Sequence, residues 1–190
     1  MKFKDSYHPY AIITIVFWSL AYVLTRLTLQ YFSSFSLGFL RYFIASCALL
    51  CIAFITKMKF PSKKDFPWFL LAGAVGFFIY IITFNKGQES ISASTASVVI
   101  ATVPVITAVL ARFIYSEKLS CIQWGAIIIE LIGVCILTLL KGIFSINIGL
   151  LWLFLAALVL SIYNLIQRRL TKKYTALQTS SFSIFSGTIL

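Results

Sequence analysis

A chain of 190 residues that is 61% hydrophobic and only 11% charged is too apolar to fold as a soluble globule. Its long apolar runs also lack the alternation, in segments of about ten residues, that marks a membrane β-barrel. The net charge of +11 does not point to nucleic acid, because the basic residues fall in short clusters between apolar runs, as the loops of a membrane protein do.

The composition leaves an all-α polytopic membrane bundle whose first partner is the lipid bilayer. A crossing helix takes about 20 mostly apolar residues. Runs at 10–31, 36–56, 66–85, 91–115, 121–140 and 148–167 meet that length. A seventh begins near Leu177 and is cut off at Leu190, short of a crossing, so the sequence reads as a fragment. Residues 1–9 form an N-terminal segment and 141–147 an outer loop.

The first run is too long for a signal-peptide core and lacks a cleavage pattern, so it stays in the membrane. Along it, Thr14, Trp18, Tyr22 and Thr25 recur at helical spacing and share one face. That face either lines a cavity or forms a polar seam between helices. Arg26 and Arg41 flank the short connection to the second run. They either snorkel to the interface or attract a substrate carboxylate.

Tyr80 and Thr83 on the third run are further candidates for a cavity wall. The fourth run carries small residues Ala93, Ser97, Ala101, Pro104 and Ala108 on one face, with hydroxyls at Ser94, Thr95 and Thr102. Pro104 has no N–H to give the carbonyl of Ile100, which predicts a kink. A kinked, hydroxyl-bearing span suits a transport path, and equally an ordinary packing helix.

On the fifth run Glu130 is the one acid in mid-span. Keeping a carboxylate charged in hydrocarbon is costly, so Glu130 is either a proton carrier or a neutral hydrogen-bonding group. Before it, Ser120 and Gln123 fit a capping box, with Glu117 beside them. The sixth run brings Tyr163, Asn164 and Gln167. Asn164 is the stronger candidate, since lipid offers its amide no partner.

Gly73, Gly76, Gly125 and Gly133 read as close-packing positions, and Cys47, Cys51, Cys121 and Cys135 as small apolar fillers. With one histidine, His8, and few carboxylates, no catalytic or metal cluster and no cofactor site is expected.

Orientation follows from Lys and Arg. Lys2, Lys4, Lys57, Lys59, Lys63, Lys64, Arg112, Lys118, Arg168, Arg169, Lys172 and Lys173 fall on one side, against Arg26, Arg41, Lys86 and Lys141 on the other. This bias predicts a cytoplasmic N-terminus. Arg26-Leu27-Thr28 with Tyr31 returns as Arg169-Leu170-Thr171 with Tyr174, five spans later. An odd number of spans inverts the second copy, which is the layout of an inverted repeat.

These features resemble the EamA family of the drug/metabolite transporter superfamily. The resemblance rests on Phe17-Trp18-Ser19, Arg41-Tyr42 with Ala45, Ala93-Ser94-Thr95-Ala96-Ser97 and Pro104-Val105. It continues through Ser116-Glu117-Lys118-Leu119-Ser120, Gln123-Trp124-Gly125 and Gly133-Val134, covering about 10–140. It implies about ten spans in two inverted five-span repeats, with a first repeat at 10–140 and the start of a second at 148–190. The second copy departs from the family pattern, since Gly149 is followed by Leu150 rather than an acid.

The implied function is a secondary transporter that exports a small metabolite or drug-like solute by alternating access across the cell membrane, in bacteria the inner membrane. No nucleotide motif is present, so a proton or an exchanged solute would supply the energy. The expected substrate-binding residues are Trp18, Tyr22, Arg26, Arg41, Tyr80, Ser94, Thr95, Thr102 and Asn164, with Pro104 as kink and Glu130 as proton coupler. The alternative is a truncated, non-transporting membrane protein that binds a partner through its helices. A membrane enzyme is remote, and the sequence leaves the oligomeric state open.

Overall fold

Inside a bilayer the backbone has no water to bond, so each apolar run satisfies its own N–H and C=O groups as a helix. The computed structural model describes residues 8–116, 118–140 and 148–190, with backbone alone at 135 and 137–140. They form α1 (His8–Thr28), α2 (Ser34–Ile55), α3 (Phe66–Ser90), α4 (Ala93–Tyr115), α5 (Cys121–Leu140), α6 (Ile148–Leu170) and α7 (Ala176–Ile189). Among the described residues there is no strand. Helices α1 to α4 and α6 are each long and apolar enough to cross a membrane, and α5 carries a shorter apolar stretch. The chain is a multi-pass helical membrane protein. Glu117 and the loop at 141–147 lie outside the described residues.

Short polar residues fix where the helices begin. The hydroxyls of Ser33, Ser92 and Thr175 accept from the backbone N–H groups of Ser36, Thr95 and Gln178, opening α2, α4 and α7. Before α5, the Ser120 N–H donates to Gln123 Oε1 at 2.8 Å and the Gln123 N–H returns to Ser120 Oγ at 3.3 Å, which is the expected capping box.

Helix α3 runs to Ser90, beyond the apolar stretch that ends at 85. Its polar last turns continue the helix because their side chains turn inward. Asn85 Nδ2 donates to the Ser34 carbonyl at 2.8 Å, and Gln88 Nε2 to the Tyr22 carbonyl at 3.3 Å. Within α3, Ala74–Ile79 is π-helical, a wide turn often found at functional sites. Helix α4 breaks at Thr102 and restarts at Val103 with Pro104 in its first turn, where the missing N–H costs nothing.

Helix α6 is the packing centre. Its Leu153, Ala156 and Ala157 are fully buried against Ile81, Phe84, Val99 and Ile100 of α3 and α4. Helix α7 lies on α3, where a Cβ at Gly73 would meet the Gly187 backbone at 2.6 Å. Helix α5 packs loosely on the first half of α4 and keeps most side chains outward, Ile129 at 72% exposure. Two sequence expectations change here. Gly125 and Gly133 face open space rather than a neighbouring helix. Of the cysteines read as small apolar fillers, Cys47, Cys51 and Cys121 are exposed on their helices, and the side chain of Cys135 lies outside the described residues.

Contacts at the helix ends give directions. Arg26, near the end of α1, meets Gln88 and Glu89 at the end of α3, and Gly149 at the start of α6 lies against Ser90 and Ile91. Helix α1 therefore finishes on the side where α6 begins, and the two run opposite ways. The hydroxyl of Tyr115, closing α4, donates to the Leu165 carbonyl at 3.0 Å, so α4 and α6 finish together at the other end.

Candidate functional site

Between α1, α2, α3 and α6 lies a cavity of about 280 Å³, walled by Trp18, Tyr22, Arg41, Tyr42, Phe77, Tyr80, Tyr163 and Asn164. A second lobe of about 430 Å³ shares Trp18, Tyr22, Leu160 and Asn164 and extends along α4 past Ser97, Ala101 and Pro104. Together they fall within the roughly 300–1,000 Å³ of small-molecule sites.

Local sequence explains the wall. Trp18 and Tyr22 are one turn apart on α1, and Tyr163 and Asn164 stand where α6 crosses the π-helical turn of α3. Gly76 sits in that turn, and a Cβ there would run into the Tyr163 ring. The rings brace one another edge to face: Tyr42 on Phe77 and Phe77 on Tyr163, each with centroids 5.2 Å apart, and Tyr22 on Phe84 at 5.6 Å. Gln167 donates to the Tyr163 hydroxyl, which fixes that ring from below.

Among the described residues Arg41 is the one charged side chain in the lining of either lobe. Its Nη1 donates to Thr25 Oγ1 at 3.0 Å, and no carboxylate pairs with it among the described residues. It starts two turns inside α2, lines the cavity, and reaches back to Thr25 in the last turn of α1, towards the end of the hairpin.

The cavity is sealed where α1 ends. Arg26 donates to the carbonyls of Gln88 and Glu89, the latter at 2.6 Å, capping the C-terminus of α3. Ser34 Oγ donates to the Glu89 carboxylate, which also pairs with Lys86 at 3.2 Å. By contrast residues 8–20 of α1 are exposed on every side.

At the opposite end a latch ties the start of α3 to the α6–α7 turn. Asp65 accepts from the Tyr174 hydroxyl at 2.7 Å, the Ser62 hydroxyl at 3.0 Å and Lys173 Nζ at 3.2 Å. The Tyr174 hydrogen bond above all, with those of Ser62 and Lys173, holds this carboxyl below its ordinary range. Beside it the Arg169 guanidinium lies over the Trp68 ring, 4.0 Å from its centroid.

Of the candidates read from sequence, Trp18, Tyr22, Arg41, Tyr80 and Asn164 are brought together in the cavity. Arg26 instead caps a helix. Thr95 is buried at the N-terminal turn of α4, Ser94 is exposed there, and Thr102 donates to its own helix at Val99. Thr14 bonds Tyr10 on the open half of α1. Glu130 stands on α5, away from either lobe, with Oε1 buried and without a hydrogen bond among the described residues. Tyr42, Gly76 and Phe77 were missed as wall residues. Tyr42 entered the sequence reading only within the Arg41-Tyr42 family motif and Gly76 only as a close-packing position, while Phe77 carried no signal beyond its aromatic ring.

A protein-family model described as the EamA-like transporter family matches residues 6–139. The chain is similar to an uncharacterized transporter, YdfC, of Bacillus subtilis, with 36% identity over 173 residues, 90% of this chain and 56% of that protein. It is also similar to a probable terminal-alkyne amino-acid exporter of Streptantibioticus cattleyicolor, 26% identical over 94% of this chain and 60% of that protein. An S-adenosylmethionine uptake transporter of Rickettsia prowazekii is 26% identical over 79% of this chain and 50% of that protein. The chain thus spans between half and three-fifths of these relatives. No solved structure matches it.

Proposed function

The chain belongs to the EamA-like transporter family, and we propose that it carries a small solute across the cell membrane through the cavity between α1, α2, α3, α4 and α6. The observation that carries this reading is the two-lobed cavity itself, walled and braced by aromatic rings. A space of this size and lining can hold a small solute.

Two features support an inverted repeat. Helices α1 and α6 run opposite ways, and the turns after them share local chemistry. Thr28 Oγ1 donates to the Leu24 carbonyl at 2.6 Å and Thr171 Oγ1 to the Gln167 carbonyl at 2.9 Å, each four residues back. Each turn then hands over to a hydroxyl-capped helix, at Ser33 and at Thr175. The charge bias supports a cytoplasmic N-terminus. We read the transport as export, driven by protons or an exchanged solute, and the protein as a transporter rather than an enzyme.

One relative is named for export of an amino acid and another for uptake of S-adenosylmethionine, so direction needs its own measurement. The test is a comparison of intracellular and medium metabolites in bacterial cells with and without the gene, repeated with Trp18→Ala and Asn164→Leu. A solute that accumulates in the medium with the gene and not with the variants supports export through this cavity. Identical metabolite profiles with and without the gene reject it.

A further inference from the structure

Each wall of the cavity is aromatic or neutral except for Arg41. A guanidinium has five N–H donors in a flat fork, and among the described residues this one meets a single hydrogen-bond acceptor, Thr25 Oγ1. The carboxylates of Glu89 and Asp65 are engaged elsewhere, by Ser34 and Lys86 and by Tyr174, Ser62 and Lys173. An ionised side chain at membrane depth is costly and normally meets a counter-charge. Here the remaining donors border a space of small-molecule size.

Building on the proposed transport reading, we infer that the solute carries a single carboxylate that seats on the Arg41 guanidinium, with an apolar or aromatic body held among Trp18, Tyr22, Tyr42 and Tyr80. One cation in the lining matches one negative charge, and its fork matches the two oxygens of a carboxylate. An organic cation would meet the guanidinium unfavourably, and a neutral solute would bring it no counter-charge. The rings supply flat apolar walls, so an amphipathic organic acid or a zwitterion fits where an inorganic anion would leave the aromatic faces uncovered.

The test uses the purified chain in lipid nanodiscs with two tritiated probes of equal size, 3-phenylpropionate and its neutral analogue 3-phenylpropanamide. The acid is expected to bind at least tenfold more tightly than the amide. In Arg41→Gln the acid should fall to the level of the amide while amide binding persists, which also shows that the variant is folded. Equal binding of acid and amide to the unsubstituted chain overturns the carboxylate assignment and leaves the solute cavity standing, whereas binding of neither overturns both. A preference that survives in Arg41→Gln overturns the role of Arg41. Should that variant fail to fold, Arg41→Lys decides: a preference narrowed to a few-fold supports the assignment, and one left at full size overturns it.

Discussion

The guanidinium of Arg41 on α2 reaches across to α1 and donates to the buried Oγ1 of Thr25 at 3.0 Å. One residue further along, Arg26 pins the same turn of α1 to the end of α3. The cation in the cavity wall is thereby wired to the turn that seals the cavity.

Thr25→Val keeps the shape of the side chain and removes the acceptor. A hydrogen bond to a charged group contributes about 1.5–3 kcal/mol, and because the cavity can admit water the loss should fall at the low end. The expected outcome is a thermal-unfolding midpoint lower by a few degrees in detergent, with amide exchange of the α1 C-terminal turn speeding up. An unchanged exchange rate in that turn would show that Arg41 does not hold α1.

Arg26→Gln should release the last turn of α3, because the two carbonyls it serves lose a charged donor. The Ile91 N–H, which bonds the Gly87 carbonyl at 3.1 Å, is a local reporter. Its hydrogen exchange is expected to rise severalfold in Arg26→Gln and less in Arg26→Lys, which can still reach one carbonyl. Equal rates in all three proteins would assign the cap to other groups.

Gly76→Ala and Gly125→Ala make a matched pair. At Gly76 the new methyl strikes the Tyr163 ring, whereas at Gly125 it meets open space. Overpacking of this kind costs about 1–3 kcal/mol, while an exposed helical glycine gains up to ~1 kcal/mol on becoming alanine. The first variant should lose stability and solute binding together; the second should be neutral or slightly more stable. Midpoints of thermal unfolding for the two, measured side by side, check the sign of each.

Asp65 gives a pH signature. Its carboxyl is held below the ordinary carboxylate range in the folded protein, first by the Tyr174 hydroxyl. The unfolded state therefore binds the proton more readily, and the stabilisation is fully present above the unfolded value of about 3.9. It is lost as pH falls through the lower, folded value. Unfolding midpoints measured downward from neutral pH should stay level in this respect and then fall below about pH 4. Asp65→Asn should flatten that acid limb, and an acid limb of the same size in Asp65→Asn would sever the latch from the pH response.

What the sequence determined by itself is the part governed by one dimension. Apolar run length, hydroxyl caps and a proline are local, so the helix set, the start of α5 at Ser120 and the break before Pro104 are all legible from residue order. Trp18, Tyr22 and Asn164 were legible as candidates for a related reason, since polar tips in mid-span need partners that lipid cannot give. Which of those partners is a neighbouring helix and which a cavity depends on distances between residues far apart in the chain. Arg26 and Arg41 look alike in sequence, at mirrored places around one short turn; only the packing of α1 and α2 on α3 commits the first to backbone carbonyls and leaves the second facing the space beside Tyr80. Gly76 and Gly125 look alike as well, and differ because α6 crosses one and nothing among the described residues crosses the other. Pattern along the chain sets what can enter the membrane, and contact between helices decides which side chains a solute could meet.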